Sequence, residues 1–453
     1  MHHRRHTRPG ERPRNLDWKR AAALLYGDWG TSKAYVIGLA FAVSGYSSPW
    51  LIAIMGGVML LVAYNYLTIC RLYPFGGGVY ASLRDRSASL SSVGAFLLIA
   101  DYLVTAAISA LSAFHYLGVS HPVECAFLAI LVIGAINFLG PKESAGVAIL
   151  ISVPTAIVVL LLGCFALPHF SEAARMIQPL HGGFFKNWEN LVAIMLALSG
   201  IEAVANSTGV MRLNPQSSNK KPVVIGTSTP AILLIAAEVC IMTTVLGFAM
   251  GALPGLTMDN GEVDAPGAPG VRDYMLRHMG KVFVGDALGL HAGEIASTVI
   301  SILFGLLLLS AVNTAMVALS SLTHLMARDW ELPRFFYKLN RHGVPIAGLL
   351  ISIVIPAALV VGMEDISKLA DLYAIGVVGA IALNLGASST DPSREMKRHV
   401  RIIMFLTFLL MASVEITLLV MKPNARWFAL AVVVIGLAMR WIAKRGTKPS
   451  AVV

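Results

Sequence analysis

Tyr26-Gly27-Asp28-Trp29-Gly30-Thr31-Ser32-Lys33-Ala34-Tyr35 interrupts an apolar run with glycines, hydroxyls and charge, and Leu198-Ser199-Gly200-Ile201-Glu202-Ala203-Val204-Ala205-Asn206-Ser207-Thr208-Gly209 does the same later in the chain. The runs around both stretches are long and apolar enough to cross a hydrocarbon core. A carboxylate inside such a span is costly unless it faces a partner or water. Backbone freed by a break is tolerated at that depth only where it lines a polar cavity. Packing seams between membrane helices need small residues, but neither Asp nor Glu. The two stretches therefore predict interrupted helices around a polar pocket.

The rest of the chain supplies the apolar surround. Its 453 residues have a mean hydropathy of +0.72, with 56% hydrophobic and 13% charged residues, about half the charged share of a soluble domain. A water-soluble fold is excluded. Spans are predicted near 22–44, 48–70, 90–117, 122–139, 144–167, 188–211, 223–253, 293–325, 344–362, 366–388, 400–421 and 426–443. The fold class is all-α integral membrane, with about twelve helices. With the N-terminus in the cytoplasm, 26 of the 35 Lys/Arg fall in inside segments, and an even number of spans preserves that bias. The net charge of +10 thus reflects membrane topology, and no nucleic-acid partner is expected. The chain divides into a basic cytoplasmic segment (1–21), a transport core (22–388), two additional helices (389–443) and a cytoplasmic tail (444–453). The outside loop 254–292, with Asp259, Glu262, Asp264 and the run Ala265-Pro266-Gly267-Ala268-Pro269-Gly270, is expected to be partly irregular.

Several classes drop out. No Walker-type phosphate loop is present, which disfavours ATP-driven transport. Cys70, Cys125, Cys164 and Cys240 show no CxxC spacing and read as packing residues rather than disulfides or a zinc site. Asp28 and Lys33 break the first apolar run, so no cleaved signal peptide is expected. The N-terminal His2, His3 and His6 lie among arginines suited to anionic lipid. No catalytic residue, metal or cofactor is expected, and the chain is not read as an enzyme.

The interrupted segments lie in the first and sixth spans, corresponding positions of two five-helix halves. Together with Tyr73-Pro74-Phe75-Gly76-Gly77-Gly78, Asn137-Phe138-Leu139-Gly140, Asn214-Pro215, and Asn313-Thr314 through Ala327-Arg328-Asp329 and Leu332-Pro333, they resemble the amino acid-polyamine-organocation (APC) superfamily over roughly residues 20–390. That resemblance implies the LeuT-type fold, two inverted five-helix repeats followed by two extra helices. Within the superfamily the pattern is most similar to bacterial potassium importers of the KUP and KimA type. Their Asp seven residues before a Tyr in the first span is matched by Asp28 and Tyr35. Their Asp-Tyr-x-x-Thr run is matched by Asp101, Tyr102 and Thr105. A hydroxyl-Gly-apolar-Glu run is matched by Ser199, Gly200, Ile201 and Glu202, and a Tyr in the tenth span by Tyr373. The resemblance implies that these positions line an ion path.

Lys33 departs from that pattern, because those importers carry an apolar residue there and an ammonium beside Asp28 would neutralise a cation site. It is read as a coupling or charge-pair residue, a salt bridge to Glu202 being the alternative to a proton-carrying role for that carboxyl. Asp101 and Thr105 lie one turn apart on one helical face, so a carboxyl and a hydroxyl converge. Glu202 is a candidate proton carrier, and Tyr35 and Tyr373 are candidate gating hydroxyls. Glu238 and Glu415 match no motif and are assigned structural or oligomer-contact roles. The expected function is a proton-coupled symporter importing a small solute, with potassium ahead of an amino acid, and a non-transporting sensor behind both. The implied partners are that solute, a proton, the lipid bilayer of a bacterial-type inner membrane, and a second copy in a homodimer.

Overall fold

The computed structural model describes residues 14–84, 86–139 and 144–445; Lys142, Gly140 and the N-terminal histidines lie outside them. The helices are α1 (Trp18–Trp29), α2 (Ser32–Ser44), α3 (Ser48–Leu72), α4 (Gly78–Arg84), α5 (Ala88–Leu117), α6 (Pro122–Phe138), α7 (Ser144–Ala166), α8 (Phe170–Met176), α9 (Gly183–Ala193), α10 (Ile201–Ser207), α11 (Ile225–Ala249), α12 (Met275–Leu288), α13 (Leu290–Arg328), α14 (Ile346–Met363), α15 (Ile366–Thr390), α16 (Arg398–Met421) and α17 (Pro423–Arg445). Among the described residues, nine helical stretches are long and apolar enough to cross a membrane, or ten when the bent pair 183–207 is taken as one span. The chain is a multi-pass α-helical membrane protein.

Burial is graded across the bundle. The most apolar windows of α5 and α15 are 89% and 83% buried, while those of α16 and α17 are 28% and 17% buried. Small residues such as Ala106, Ala107, Ala110 and Ala113 let neighbouring backbones approach α5, as membrane helix packing requires. At Gly376 of α15 a Cβ would come within 2.8–3.0 Å of Asp101 N, Cα and Cβ. The carboxyl of Asp101 is thus held by a backbone-to-backbone contact.

The segment after α11 is more ordered than expected. Thr257–Asp259 and Glu262–Asp264 form an antiparallel hairpin. Its turn, Asn260-Gly261, has positive φ at both residues, the conformation that Asn-Gly favours in two-residue hairpins. The 14-residue α12 follows, burying Met275, Leu276, Met279 and Phe283. Arg272, between the two, is buried and pairs with Asp273 (2.7 Å), Asp365 at the start of α15 (2.9 Å) and Glu262 of the hairpin (3.0 Å). Its backbone lies so close to Gly38 of α2 that a Cβ there would overlap the Arg272 carbonyl. This lid closes the face of the bundle opposite the described ends of the chain.

The other face is tied differently. Asp329, just after α13, pairs with Arg84 of α4 (2.7 Å) and accepts from Tyr80 (3.1 Å). Glu331 pairs with Arg440 and Lys444 of α17 and accepts from Ser92 of α5. Burial opposes the Glu331 charge, but hydrogen bonds from Arg440, Lys444 and Ser92 outweigh it and hold the carboxyl below the usual glutamate range. These ion pairs fasten the peripheral α17 to the core.

Candidate solute site at the helix breaks

The two interrupted segments meet. The second is bent by 46° between residues 183–193 and 195–207. Its chain runs through one 3-10 turn, Met195–Leu198, then an extended Ser199 (ψ 145°) and Gly200 at φ 99° before α10 begins. A Cβ at Gly200 would strike Trp29 N and Cα and Asp28 C. Glycine is required there both for the positive φ and for the approach to α1.

The first segment is not unwound as expected. Gly30 and Thr31 keep right-handed helical dihedrals, and Gly30 N–H still donates to Tyr26 O (2.9 Å). The local change is a tightened turn, Ala34 N–H to Thr31 O (2.9 Å), with the Thr31 hydroxyl donating to the Asp28 carbonyl. Gly30 serves a different purpose from Gly200. A Cβ at Gly30 would sit 2.5 Å from the Tyr26 carbonyl oxygen and 2.8 and 2.9 Å from two carbons of the Tyr26 ring, which lies across it.

Around this meeting point the structure gathers the expected residues. Asp28 (5% exposed), Asp101 (1%) and Glu202 (3%) are buried and lie within electrostatic reach of one another. They share one region without converging into a chelating set. Glu202 turns back to accept from Gly200 N–H (3.1 and 3.3 Å to its two oxygens). Thr105 donates to the Asp101 carbonyl (2.8 Å), with its hydroxyl 3.4 Å from Asp101 Oδ1. Tyr373 donates to Ser199, and the Tyr35 hydroxyl faces Thr31, Ser32 and Tyr373. Asp28 Oδ1 and Asp101 Oδ2 are buried with no hydrogen-bond partner among the described residues.

Tyr102 accepts from Asn206 Nδ2 (2.6 Å). Both residues line a cavity of about 1170 Å³ that opens toward the face carrying Arg14, Arg84, Arg328 and Arg394. The three carboxyls do not line it, although Tyr102 and Ala203, the chain neighbours of Asp101 and Glu202, do. Two neighbours were missed by sequence reading as site residues. Asn206 sat inside a quoted stretch, and its amide at mid-span was the signal. Tyr66 of α3, within electrostatic reach of Glu202 and Asp101, had none, since a buried tyrosine in an apolar run is unremarkable.

The alternative Lys33–Glu202 pair is not formed. Lys33 Nζ is fully buried and lies 2.8 and 2.7 Å from the two carboxylate oxygens of Glu238 on α11, with Tyr26 OH at 3.3 Å. The reason is helical geometry. Lys33 follows Tyr26 by two turns on one side of the first span, and Tyr35 follows Asp28 by two turns on the nearly opposite side. Lys33 therefore faces α11 while Asp28 faces the pocket. Glu415 also lies apart from the cluster, half-buried on α16 against Gly379 of α15.

A helical bundle that buries three carboxyls beside a broken span, next to a cavity open to one face, is built as a membrane transporter. The profile of the amino acid permease family matches residues 16–439, and the chain belongs to that family; it is a transporter, not an enzyme. It is also 24% identical, over 387 residues and 79% of its length, to potassium transporter KimA of Bacillus subtilis (strain 168). The chain spans 58% of that relative's length.

Proposed function

We propose that this chain is a proton-coupled importer of a monovalent cation, potassium, working in a bacterial-type inner membrane with both termini in the cytoplasm. One observation carries the reading: Asp28, Asp101 and Glu202 share a buried region that no basic side chain enters among the described residues, because Lys33 is spent on Glu238. Like charges in a low-dielectric site repel strongly, and a dehydrated cation relieves that repulsion. The unpartnered oxygens of Asp28 and Asp101, with the hydroxyls of Tyr35, Ser199 and Tyr373, offer the hard oxygen ligands such an ion prefers. The similarity to a potassium transporter agrees with this.

An amino acid would need free N–H donors for its carboxylate, and half-helix N-termini commonly supply them. Here Glu202 already accepts from Gly200 N–H. The family name keeps the amino acid as the rival substrate. Counting 18–72 as two spans, 183–207 as one, and adding the 17-residue α6 gives twelve crossings, the number a five-plus-five repeat with two further helices requires. Residues 22–388 form the transport core in this reading, and the exposed apolar faces of α16 and α17 are offered to lipid or to a second copy.

The test is growth rescue of a potassium-uptake-deficient host, with isotope flux into proteoliposomes. Potassium uptake is expected. Absence of any potassium movement, combined with thermal stabilisation of the purified protein by a zwitterion, would assign the site to an amino acid.

A further inference from the structure

Lys33, Tyr26 and Glu238 make a second polar centre inside the bundle, on the side of the first span away from the carboxyl cluster. Lys33 is 0% exposed and its Nζ donates to both Glu238 oxygens. Tyr26 OH donates to Glu238 Oε1 at 3.2 Å, and the ammonium sits 4.7 Å from the Tyr26 ring centroid. The titratable groups in reach of Glu238 are Tyr26 from α1, Lys33 from α2 and Cys240 on α11 itself. On α3, which packs along α11, Tyr66 is directed to Glu202 and Asp101 and Tyr64 is exposed; α7 contributes the hydroxyl of Ser152, which donates to the Ala23 carbonyl (3.0 Å).

Position gives this centre its meaning. Tyr26 belongs to α1 and Lys33 to α2, so the three groups bridge the interruption at Gly30–Thr31 and fix both halves of the first span to α11. A bend at that point would change the Tyr26–Lys33 separation and lengthen the contact of Lys33 with Glu238. A buried ion pair whose partner is withdrawn leaves an uncompensated charge in low dielectric, which is strongly unfavourable. A carboxylate is relieved of that state by taking up a proton.

We infer that Glu238, clasped by Lys33 and Tyr26, is the binding site for the coupling proton, separate from the cation site. This rests on the proton-coupled reading above. When the first span bends, Lys33 carries its ammonium into the water of the aqueous face then exposed, and Glu238 gains one proton from that same face, becoming a neutral carboxylic acid. When the span straightens, Lys33 returns and the same proton is released to the other face. One proton enters and one leaves per cycle. The arrangement couples the two solutes through the geometry of one helix, since Asp28 and Lys33 ride on opposite sides of it.

The experiment uses the full chain with two readouts. In proteoliposomes, the double variant K33M/E238M removes both charges with little change in volume, which buried ion pairs tolerate better than loss of one partner. It is expected to retain potassium exchange at zero pH gradient and to lose the acceleration of about tenfold, the usual size of such a coupling, that an inward proton gradient gives the wild type. Gradient-driven accumulation surviving in the double variant would reduce the pair to a structural clasp. In the second readout, infrared difference spectra of purified protein taken on acidification should contain a protonated-carboxyl band that Glu238→Gln removes and Glu415→Gln does not. If wild-type protein moves no potassium, the cation reading fails, and the infrared band still decides the proton site: its absence overturns the assignment whatever the solute.

Discussion

The two interrupted spans look alike in sequence and differ in backbone. Each places glycines beside an acid and hydroxyls at mid-membrane. Only the segment around Gly200 opens, with φ at 99° and a 46° bend. The segment around Gly30 stays right-handed and nearly continuous. The difference lies in what each glycine meets. At Gly200 the neighbour is the main chain of another segment, at Trp29; at Gly30 it is the carbonyl and ring of Tyr26, one turn back on the same helix. One break is therefore held open by a neighbouring segment, and the other stays closed by contacts within its own span.

Substitutions separate the two. Gly200→Val should have the largest effect, because strained φ and overlap with α1 add to a cost of about 3 kcal/mol or more. It is read as loss of monodisperse protein or a large fall in Tm. Asp28→Asn and Glu202→Gln come next. Both should fold, while potassium flux falls about tenfold or more, equivalent to about 1.4 kcal/mol in the barrier. Normal flux in both would detach the cluster from transport. Gly30→Ala should cost about 1 kcal/mol, since the helical dihedrals accept alanine but the Tyr26 carbonyl and ring must both give way to the new Cβ. If thermal denaturation shows it to be as damaging as Gly200→Val, the two joints are equivalent and the contrast is lost. Thr31→Val should be mildest, at about 0.5 kcal/mol for one hydrogen bond, visible as a small Tm decrease with flux retained.

Much of this architecture is legible in the chain, because membrane crossing is written in composition and polar residues at depth stand out against it. Asp28, Asp101, Glu202, Ser199 and Tyr373 are identifiable one by one, and they meet. The partner of Lys33 is not legible. Glu238 lies 205 residues away, and choosing it over Glu202 requires knowing which side of the first span faces α11. The straightness at Gly30 is equally hidden, since a glycine that makes room for a ring reads the same as one that unwinds a helix. The hairpin was within reach: Asn260-Gly261 is a strong turn signal, obscured by the Pro/Gly run that follows it. Met275, Leu276, Met279 and Phe283 likewise have the spacing of an amphipathic helix.

The seat of Arg272 on Gly38 has a practical consequence. With main chain resting against main chain, nothing wider than a hydrogen fits between the lid and α2. A displacement of that half of the first span would pass through Arg272 and its ion pair with Glu262 to the hairpin at residues 257–264, which is largely exposed. On the proposed alternating mechanism, a nanobody gripping the hairpin would slow transport without entering the lipid.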